Sequence, residues 1–134
     1  AHSTDALEKA LQALRPHVKG KLYVVFGCGG NRDTSKREGM ALAAKKYADV
    51  AYITDDNPRD ENPEFIRAEV HKHHVEAYNV AGREEAICAA IASANFGDVV
   101  LVAGKGHETG QIVGDKVLPM NDIQICADIL GEAL

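Results

Sequence analysis

Apolar residues fall into two patterns along the chain, a helical spacing and short unbroken runs. Between positions 4 and 14 they recur at helical spacing, which predicts a helix with Ser3, Thr4 or Asp5 as its N-cap. Residues 22–26 form a short β-branched apolar run, which predicts a buried strand. The two patterns then continue in turn, with predicted helices at 38–48, 63–72 and 83–94 and predicted strands at 50–54, 77–80 and 98–103.

Strands without polar alternation, separated by helices, indicate a parallel sheet covered on both faces. The predicted fold class is therefore α/β, a Rossmann-like, doubly wound and mostly parallel sheet of about six strands. Residues 111–113 and 116–118 flank a Gly114-Asp115 turn, which predicts a hairpin that adds an antiparallel edge. Residues 121–130 are predicted to close the chain as a helix, and we expect one domain over residues 1–134.

Charge and composition narrow the classes of partner. The 134 residues carry 20 acidic and 15 basic side chains, a net charge of -5, which argues against binding to nucleic acid or anionic lipid. The chain has no apolar run near the roughly 20 residues that cross a bilayer, so we expect a cytoplasmic protein. Cys28, Cys88 and Cys126 are widely spaced and odd in number, which favours packing thiols over a disulfide or catalytic pair.

Three loops that follow predicted strands carry most of the polar chemistry. They span residues 27–33, 55–60 and 103–108, and the carboxyl ends of parallel strands bring such loops to one edge of the sheet. Arg32 and Arg59 can bind carboxylates, while Asp56 and Glu108 can accept from ammonium groups. This mixture suits a zwitterionic ligand, but solvated turn residues would give the same composition, and the spacing leaves both interpretations open.

Two nucleotide motifs and one metal motif match poorly. Gly27, Gly29 and Gly30 do not give the GxGxxG spacing of dinucleotide sites, and the segment from Gly104 lacks the form of a phosphate-binding P-loop. The histidine cluster at 71–74 does not present ligands on one helix face, so a polar helix end is the preferred interpretation and no metal is expected.

The loops also carry a family resemblance. The runs VFGCGGNRDTSKR (25–37), TDDNPR (54–59) and VVLVAGKGHETGQIV (99–113), together with Ala1-His2, resemble the C-terminal domain of the Mur ligases. DNPR is similar to the form found in members that add meso-diaminopimelate. The resemblance covers essentially the whole chain, with three motifs in the same order.

The resemblance implies a substrate-binding site for meso-diaminopimelate. It implies that Arg59 and Asn57 hold the distal carboxylate that lysine lacks, with Arg32 nearby. It further implies that the amino acid is held by four more residues, Asp56, Pro58, the Gly104 backbone and Glu108. No catalytic residue is expected in this domain.

The resemblance also implies an ATP-dependent amide ligation that joins this amino acid to UDP-N-acetylmuramoyl-L-alanyl-D-glutamate in peptidoglycan synthesis. ATP and Mg²⁺ would be held mainly by a central domain, and the UDP-sugar by an N-terminal one. Ala1-His2 matches the end of the family's linker motif, so we expect an excised C-terminal domain, inactive alone, with His2 as a candidate nucleotide contact. Two alternatives remain at this point, a free-standing module that binds a small zwitterion and a dinucleotide-binding enzyme.

Overall fold

The computed structural model describes residues 3–30, 34–56 and 58–103, together with the backbone of two further strands at 110–113 and 116–119. Four helices and six strands lie in these ranges, beside a 3₁₀ turn at Arg15–His17. The helices are α1 (Thr4–Leu14), α2 (Ser35–Tyr47), α3 (Pro63–His71) and α4 (Arg83–Ser93). The strands are β1 (Leu22–Phe26), β2 (Val50–Ile53), β3 (Tyr78–Asn79), β4 (Val99–Val102), β5 (Gly110–Val113) and β6 (Lys116–Pro119).

Local sequence signals explain where the helices begin. Ser3 is the N-cap of α1, and its side chain accepts a hydrogen bond from the Ala6 amide at 3.1 Å. Asn62 caps α3 in the same way, and Pro63 occupies its first turn. The bounds predicted for α1 are confirmed, whereas α2 begins at Ser35 and not at position 38. Its first turn is polar, so it gives no apolar periodicity from which the start could be predicted.

The central sheet is parallel. Strand β1 pairs with β2 on one side and with β4 on the other, and β2 pairs with β3 at the edge. Val24 lies opposite Ala51 and Leu101 in this register. The strand order is β3-β2-β1-β4-β6-β5, in which β6 runs parallel to β4 and antiparallel to β5. The helix predicted at 121–130 lies outside the described residues.

Alternate residues of the central strands face two separate cores. On one face, Val24, Phe26 and Leu101 pack with buried side chains of α1, α2 and α3. On the other face, Val25 and Val102 pack with buried side chains of α4. Both faces are therefore covered by helices, and every residue of β1 is buried. The prediction of an α/β fold with a parallel sheet between helices is confirmed.

Two aspartate side chains stabilise the sheet at the amino ends of its strands. The Asp98 carboxylate accepts from the Lys21 amide at 2.7 Å and from the Asn95 amide at 2.8 Å. The Asp49 carboxylate accepts from the Leu22 amide at 2.7 Å and pairs with Arg15. Because these carboxylates replace backbone acceptors at the strand starts, they fix the amino edge of the sheet. The loops with most of the polar chemistry lie at the opposite, carboxyl edge.

Candidate functional site

The carboxyl edge of the sheet brings together two glycine- and charge-bearing loops. The β1 loop is described over residues 27–30, and the β2 loop over 54–56 and 58–61. Since β1 and β2 are adjacent and parallel, their following loops leave the sheet side by side. Of the third predicted loop, only Ala103 is described, at the end of β4. Its backbone oxygen accepts from Arg83 Nη2 at 3.1 Å, which joins the start of α4 to this edge.

The two loops touch so closely that glycine is needed at the contact. A Cβ atom added at Gly30 would lie 1.9 Å from the Pro58 oxygen, and one at Gly27 would lie 2.4 Å from the Thr54 oxygen. Both distances are far below an ordinary contact between unbonded atoms. The glycines of the β1 loop therefore leave room for the backbone of the β2 loop. From the sequence alone, glycines after a strand could equally have left room for a ligand.

A tight turn at residues 58–61 presents Arg59. The Glu61 amide donates to the Pro58 oxygen at 3.0 Å, which closes the turn. Arg59 has a φ of 53°, in the left-handed region that a non-glycine residue occupies at a cost of about 1 kcal/mol or more. The exposed side chain of Arg59 turns toward the β1 loop, where Nη1 donates to the Gly30 oxygen at 2.9 Å. The guanidinium thus lies at the junction between the two loops.

A buried arginine ties the β2 loop to two helices. Arg37, in the first turn of α2, is 3% exposed, and its Nη2 lies 2.9 Å from both carboxylate oxygens of Glu61. Its Nη1 forms an ion pair with Glu69 of α3. Burial opposes the charge on Arg37, but the bonds to Glu69 and Glu61 outweigh that effect and raise the pKa of the guanidinium. Arg37 is therefore a fixed cation that joins α2, α3 and the turn.

A second arginine secures the other end of the β2 loop. Arg67 of α3 pairs with Asp55, and its Nε donates to the Asn79 side chain at 2.8 Å. Thr54 adds a bond from its hydroxyl to the Ala81 oxygen at 3.1 Å. The loop after β2 is consequently held against α3 and against the segment that follows β3.

The predicted site residues are partly within the described chain. Asp56 is buried at 5% exposure, with its Cβ beside Gly27, while Pro58 is half-buried and Arg59 is exposed. The structure thus brings these three residues together on the β2 loop, against the β1 loop. The other predicted site residues lie outside the described residues: His2, Arg32, Asn57, Gly104 and Glu108. For all of the predicted site residues, the role in ligand binding stays a prediction.

The sequence reasoning missed the residues that support the site. Arg37, Glu61 and Glu69 were not singled out, although Arg37 ends the first run that carries the family resemblance. Their pairing joins positions far apart in the chain and has no periodic signal. A charged residue in the first turn of a helix is usually solvent-exposed, so only the fold shows that this one is buried.

Cys28 and the histidine cluster have structural surroundings. Burial raises the pKa of the Cys28 thiol to about 12, and its sulfur lies 3.7 Å from Met40 Sδ, which agrees with a packing thiol. Helix α3 ends at His71, whose Nε2 lies 3.0 Å from the Ala77 oxygen, so the cluster lies at a helix end as predicted. Within the described ranges no three His, Cys, Asp or Glu side chains are grouped to hold a metal ion. Cys126 lies outside them.

Comparison with known proteins then decides the family. The model of the family described as Mur ligase, glutamate ligase domain matches residues 1–106. The chain belongs to this family. The resemblance seen in the sequence motifs is thus confirmed for most of the chain.

Two relatives of this Mur ligase domain carry the same name. A protein of Bradyrhizobium diazoefficiens named UDP-N-acetylmuramoyl-L-alanyl-D-glutamate--2,6-diaminopimelate ligase is 54% identical over 131 residues, covering 98% of this chain and 27% of the relative. A protein of Zymomonas mobilis with the same name is 48% identical over 132 residues, covering 96% of this chain and 27% of the relative. This chain therefore spans about a quarter of the length of these curated relatives.

A solved structure agrees with the sequence relatives. The structure of a UDP-N-acetylmuramoyl-L-alanyl-D-glutamate--2,6-diaminopimelate ligase superimposes with a TM-score of 0.83 at 36% identity, covering 99% of this chain and 28% of that one. The matched structure is thus about three and a half times as long as this chain. In the described part of the present chain, no helix is long and apolar enough to span a membrane.

Proposed function

We propose that this Mur ligase domain binds the incoming amino acid in an ATP-dependent ligase that joins meso-diaminopimelate to UDP-N-acetylmuramoyl-L-alanyl-D-glutamate. The observation that carries the proposal is the position of Arg59, exposed on a strained turn where the β1 and β2 loops meet. Relatives that share about half of the residues are named for ligation of 2,6-diaminopimelate, which supports the choice of substrate.

The chemistry of the substrate explains why a guanidinium would be placed there. Diaminopimelate differs from lysine by one carboxylate at the far end of the side chain. A planar guanidinium binds a carboxylate through two parallel N–H bonds and remains charged at every physiological pH. Lysine would present no carboxylate to that guanidinium once the site closed, so it would bind less well. Arg59 is therefore the residue to which we assign the choice between the two amino acids.

The other site residues are proposed on the same basis. We assign Asn57 to the distal carboxylate beside Arg59, with Arg32 nearby, in keeping with the DNPR form of the motif. Four further positions are assigned to the rest of the zwitterion: Asp56, Pro58, the Gly104 backbone and Glu108. Glu108 faces an ammonium group in this proposal, because a carboxylate is the natural acceptor for it.

We assign the chemical steps of the reaction to the other domains of the ligase. In the proposed sequence, ATP transfers its terminal phosphoryl group to the carboxylate of the UDP-linked dipeptide. The amine of diaminopimelate then attacks the acyl phosphate, an amide bond forms, and phosphate leaves. The part of this chain that the structure describes offers no cluster of three candidate metal ligands, and its sequence has no P-loop. We therefore assign ATP and Mg²⁺ to the central domain, with His2 as a nucleotide contact, and expect this chain alone to be inactive.

The same proposal covers the organisation of the molecule. We propose that residues 1–134 form a single Mur ligase C-terminal domain within a longer cytoplasmic enzyme whose other domains bind the UDP-sugar and ATP. Its complete fold would be the doubly wound sheet of six strands with the hairpin as an antiparallel edge. The net charge of -5 supports small-molecule partners rather than nucleic acid.

The test is amino-acid-dependent phosphate release by the whole ligase. Supplied with ATP, Mg²⁺ and the UDP-linked dipeptide, the enzyme should release phosphate with diaminopimelate far faster than with lysine. Equal rates would refute the substrate assignment. Calorimetry with the 134-residue chain separates a binding module from a partial site, since a self-sufficient receptor should bind diaminopimelate with a micromolar Kd and a partial site far more weakly.

A further inference from the structure

We propose that Arg37 is a positioning residue for amino-acid selection, because it holds the turn at 58–61 and thereby the guanidinium of Arg59. The inference rests on the proposed function, in which Arg59 binds the distal carboxylate. Arg37 itself is buried and is assigned no contact with substrate. Its effect would pass through Glu61, the last residue of the turn.

Arg37 is connected to the turn through the carboxylate of Glu61. Both oxygens of Glu61 lie 2.9 Å from Arg37 Nη2, and the side chain of Glu61 is only 28% exposed. A charge-assisted bond of this kind, screened from water on most sides, is stronger than a surface ion pair. The pairing of Arg37 with Glu69 fixes the other branch of the guanidinium to α3. The end of the turn is thus attached to two helices at once.

The turn fixes Arg59 through its backbone and through the β1 loop. The Glu61 amide closes the turn on the Pro58 oxygen at 3.0 Å, and Arg59 between them has a φ of 53°. A strained residue keeps its conformation only while its surroundings impose it. On the far side, the Pro58 oxygen rests against Gly30, whose own oxygen accepts from Arg59. Any outward movement of Glu61 would therefore shift the Arg59 side chain relative to the β1 loop.

An arginine at position 37 can make bonds that a lysine could not. One planar guanidinium bonds two carboxylates from different elements, whereas a lysine ammonium is a single point charge. Removing the charge would leave Glu61 and Glu69 near each other without the cation between them. Two partly buried carboxylates repel, so the turn would swing away from α3. Loss of the Arg37 charge should therefore raise KM before it lowers kcat.

The experiment measures KM and kcat of the whole ligase for diaminopimelate and for lysine in four enzymes: wild type, Arg37→Met, Arg59→Ala and the double variant. Arg37→Met should raise the KM for diaminopimelate about tenfold, because small displacements of binding groups are costly, and should raise the KM for lysine by a smaller factor. If Arg37 acts through Arg59, the double variant should be no worse with diaminopimelate than Arg59→Ala alone. Arg15→Met, which removes an ion-paired arginine at the opposite edge, is the matched control and should leave both KM values unchanged.

Glu61→Gln covers the case in which Arg37→Met fails to fold. It keeps the shape of the side chain and removes only its charge, so it should raise the KM for diaminopimelate in the same direction by a smaller factor. Equal losses for both amino acids, full additivity with Arg59→Ala, or an unchanged KM in Glu61→Gln would each overturn the role of Arg37. A wild-type ligase that does not prefer diaminopimelate would instead overturn the proposed function, before any Arg37 variant is compared.

Discussion

Replacing Gly30 by alanine is expected to force the β1 and β2 loops apart. The new Cβ would lie 1.9 Å from the Pro58 oxygen and 2.7 Å from the Pro58 carbonyl carbon. An ordinary contact needs about 3.4 Å, so the loops must separate by roughly 1.5 Å. The obstacle is backbone, which cannot rotate away as a flexible side chain can. The separation acts directly on Arg59, because its guanidinium donates to the Gly30 oxygen.

The size of the effect follows from that displacement. A misplacement of about 1 Å in a group that positions substrate costs on the order of 100-fold in rate, or about 2.7 kcal/mol of transition-state binding. Overpacking of this kind also lowers stability by about 1 to 3 kcal/mol. The assays are kcat/KM for diaminopimelate in the whole ligase and urea denaturation of the same protein. We expect the loss of kcat/KM to exceed the loss explained by unfolding at the assay temperature.

Gly82→Ala is the matched control for this prediction. A Cβ at Gly82 would also collide, at 1.5 Å, but with the end of the exposed Glu85 side chain, which can move. The φ of Gly82 is -75°, which alanine adopts freely. This variant should keep kcat/KM within about twofold of wild type. If Gly30→Ala behaved the same way, the close contact between the two loops would not matter for the site, and the reasoning would be refuted.

Three further predictions concern stability and reactivity. Leu11→Ala, at a fully buried position, should lower the free energy of unfolding by about 2 to 5 kcal/mol, whereas Leu42→Ala on the surface should change it by about 0.5 kcal/mol or less; similar losses in urea denaturation would contradict the packing. Iodoacetamide at pH 8 should modify Cys88 well before Cys28, because burial raises the pKa of the Cys28 thiol to about 12; mass spectrometry showing the reverse order would refute its burial. Bonds from two backbone amides lower the pKa of Asp98, so its contribution to stability is present above its unfolded pKa of about 3.9 and is lost as pH falls through the lower folded value. Asp98→Asn should flatten that part of a plot of the free energy of unfolding against pH, and an unchanged plot would exclude Asp98 as the source of the loss.

Local signals were sufficient to predict each helix and strand of residues 3–103 to within a few residues, and to place the β1 and β2 loops at the carboxyl edge of the sheet. The apolar run at β1 and the capped periodic segment of α1 gave the observed bounds, because burial and capping depend on nearby residues. Strand β2 ends at Ile53 rather than at 54, although the Thr54 amide still donates to the Phe26 oxygen at 2.9 Å. Differences of one or two residues are usual at the ends of elements, which the apolar pattern does not define sharply.

The support of the site could not be predicted from the sequence. The ion pairs of Arg37 with Glu61 and Glu69 join three elements, and any of the charged residues nearby could have been the partner. The left-handed backbone of Arg59 follows from the same tertiary packing, since arginine has no local preference for that region. Sequence patterns therefore located the loops, whereas only the fold shows how one loop holds the other.

The most direct test of the account is Arg59→Ala in the whole ligase, measured as kcat/KM for diaminopimelate and for lysine. If the guanidinium binds the distal carboxylate, the variant should lose about 2 to 4 kcal/mol of transition-state binding with diaminopimelate, or roughly 30- to 1,000-fold in kcat/KM. With lysine, which has no distal carboxylate, kcat/KM should change far less. Equal losses with both amino acids would contradict the assignment of Arg59 and the selection mechanism built on it.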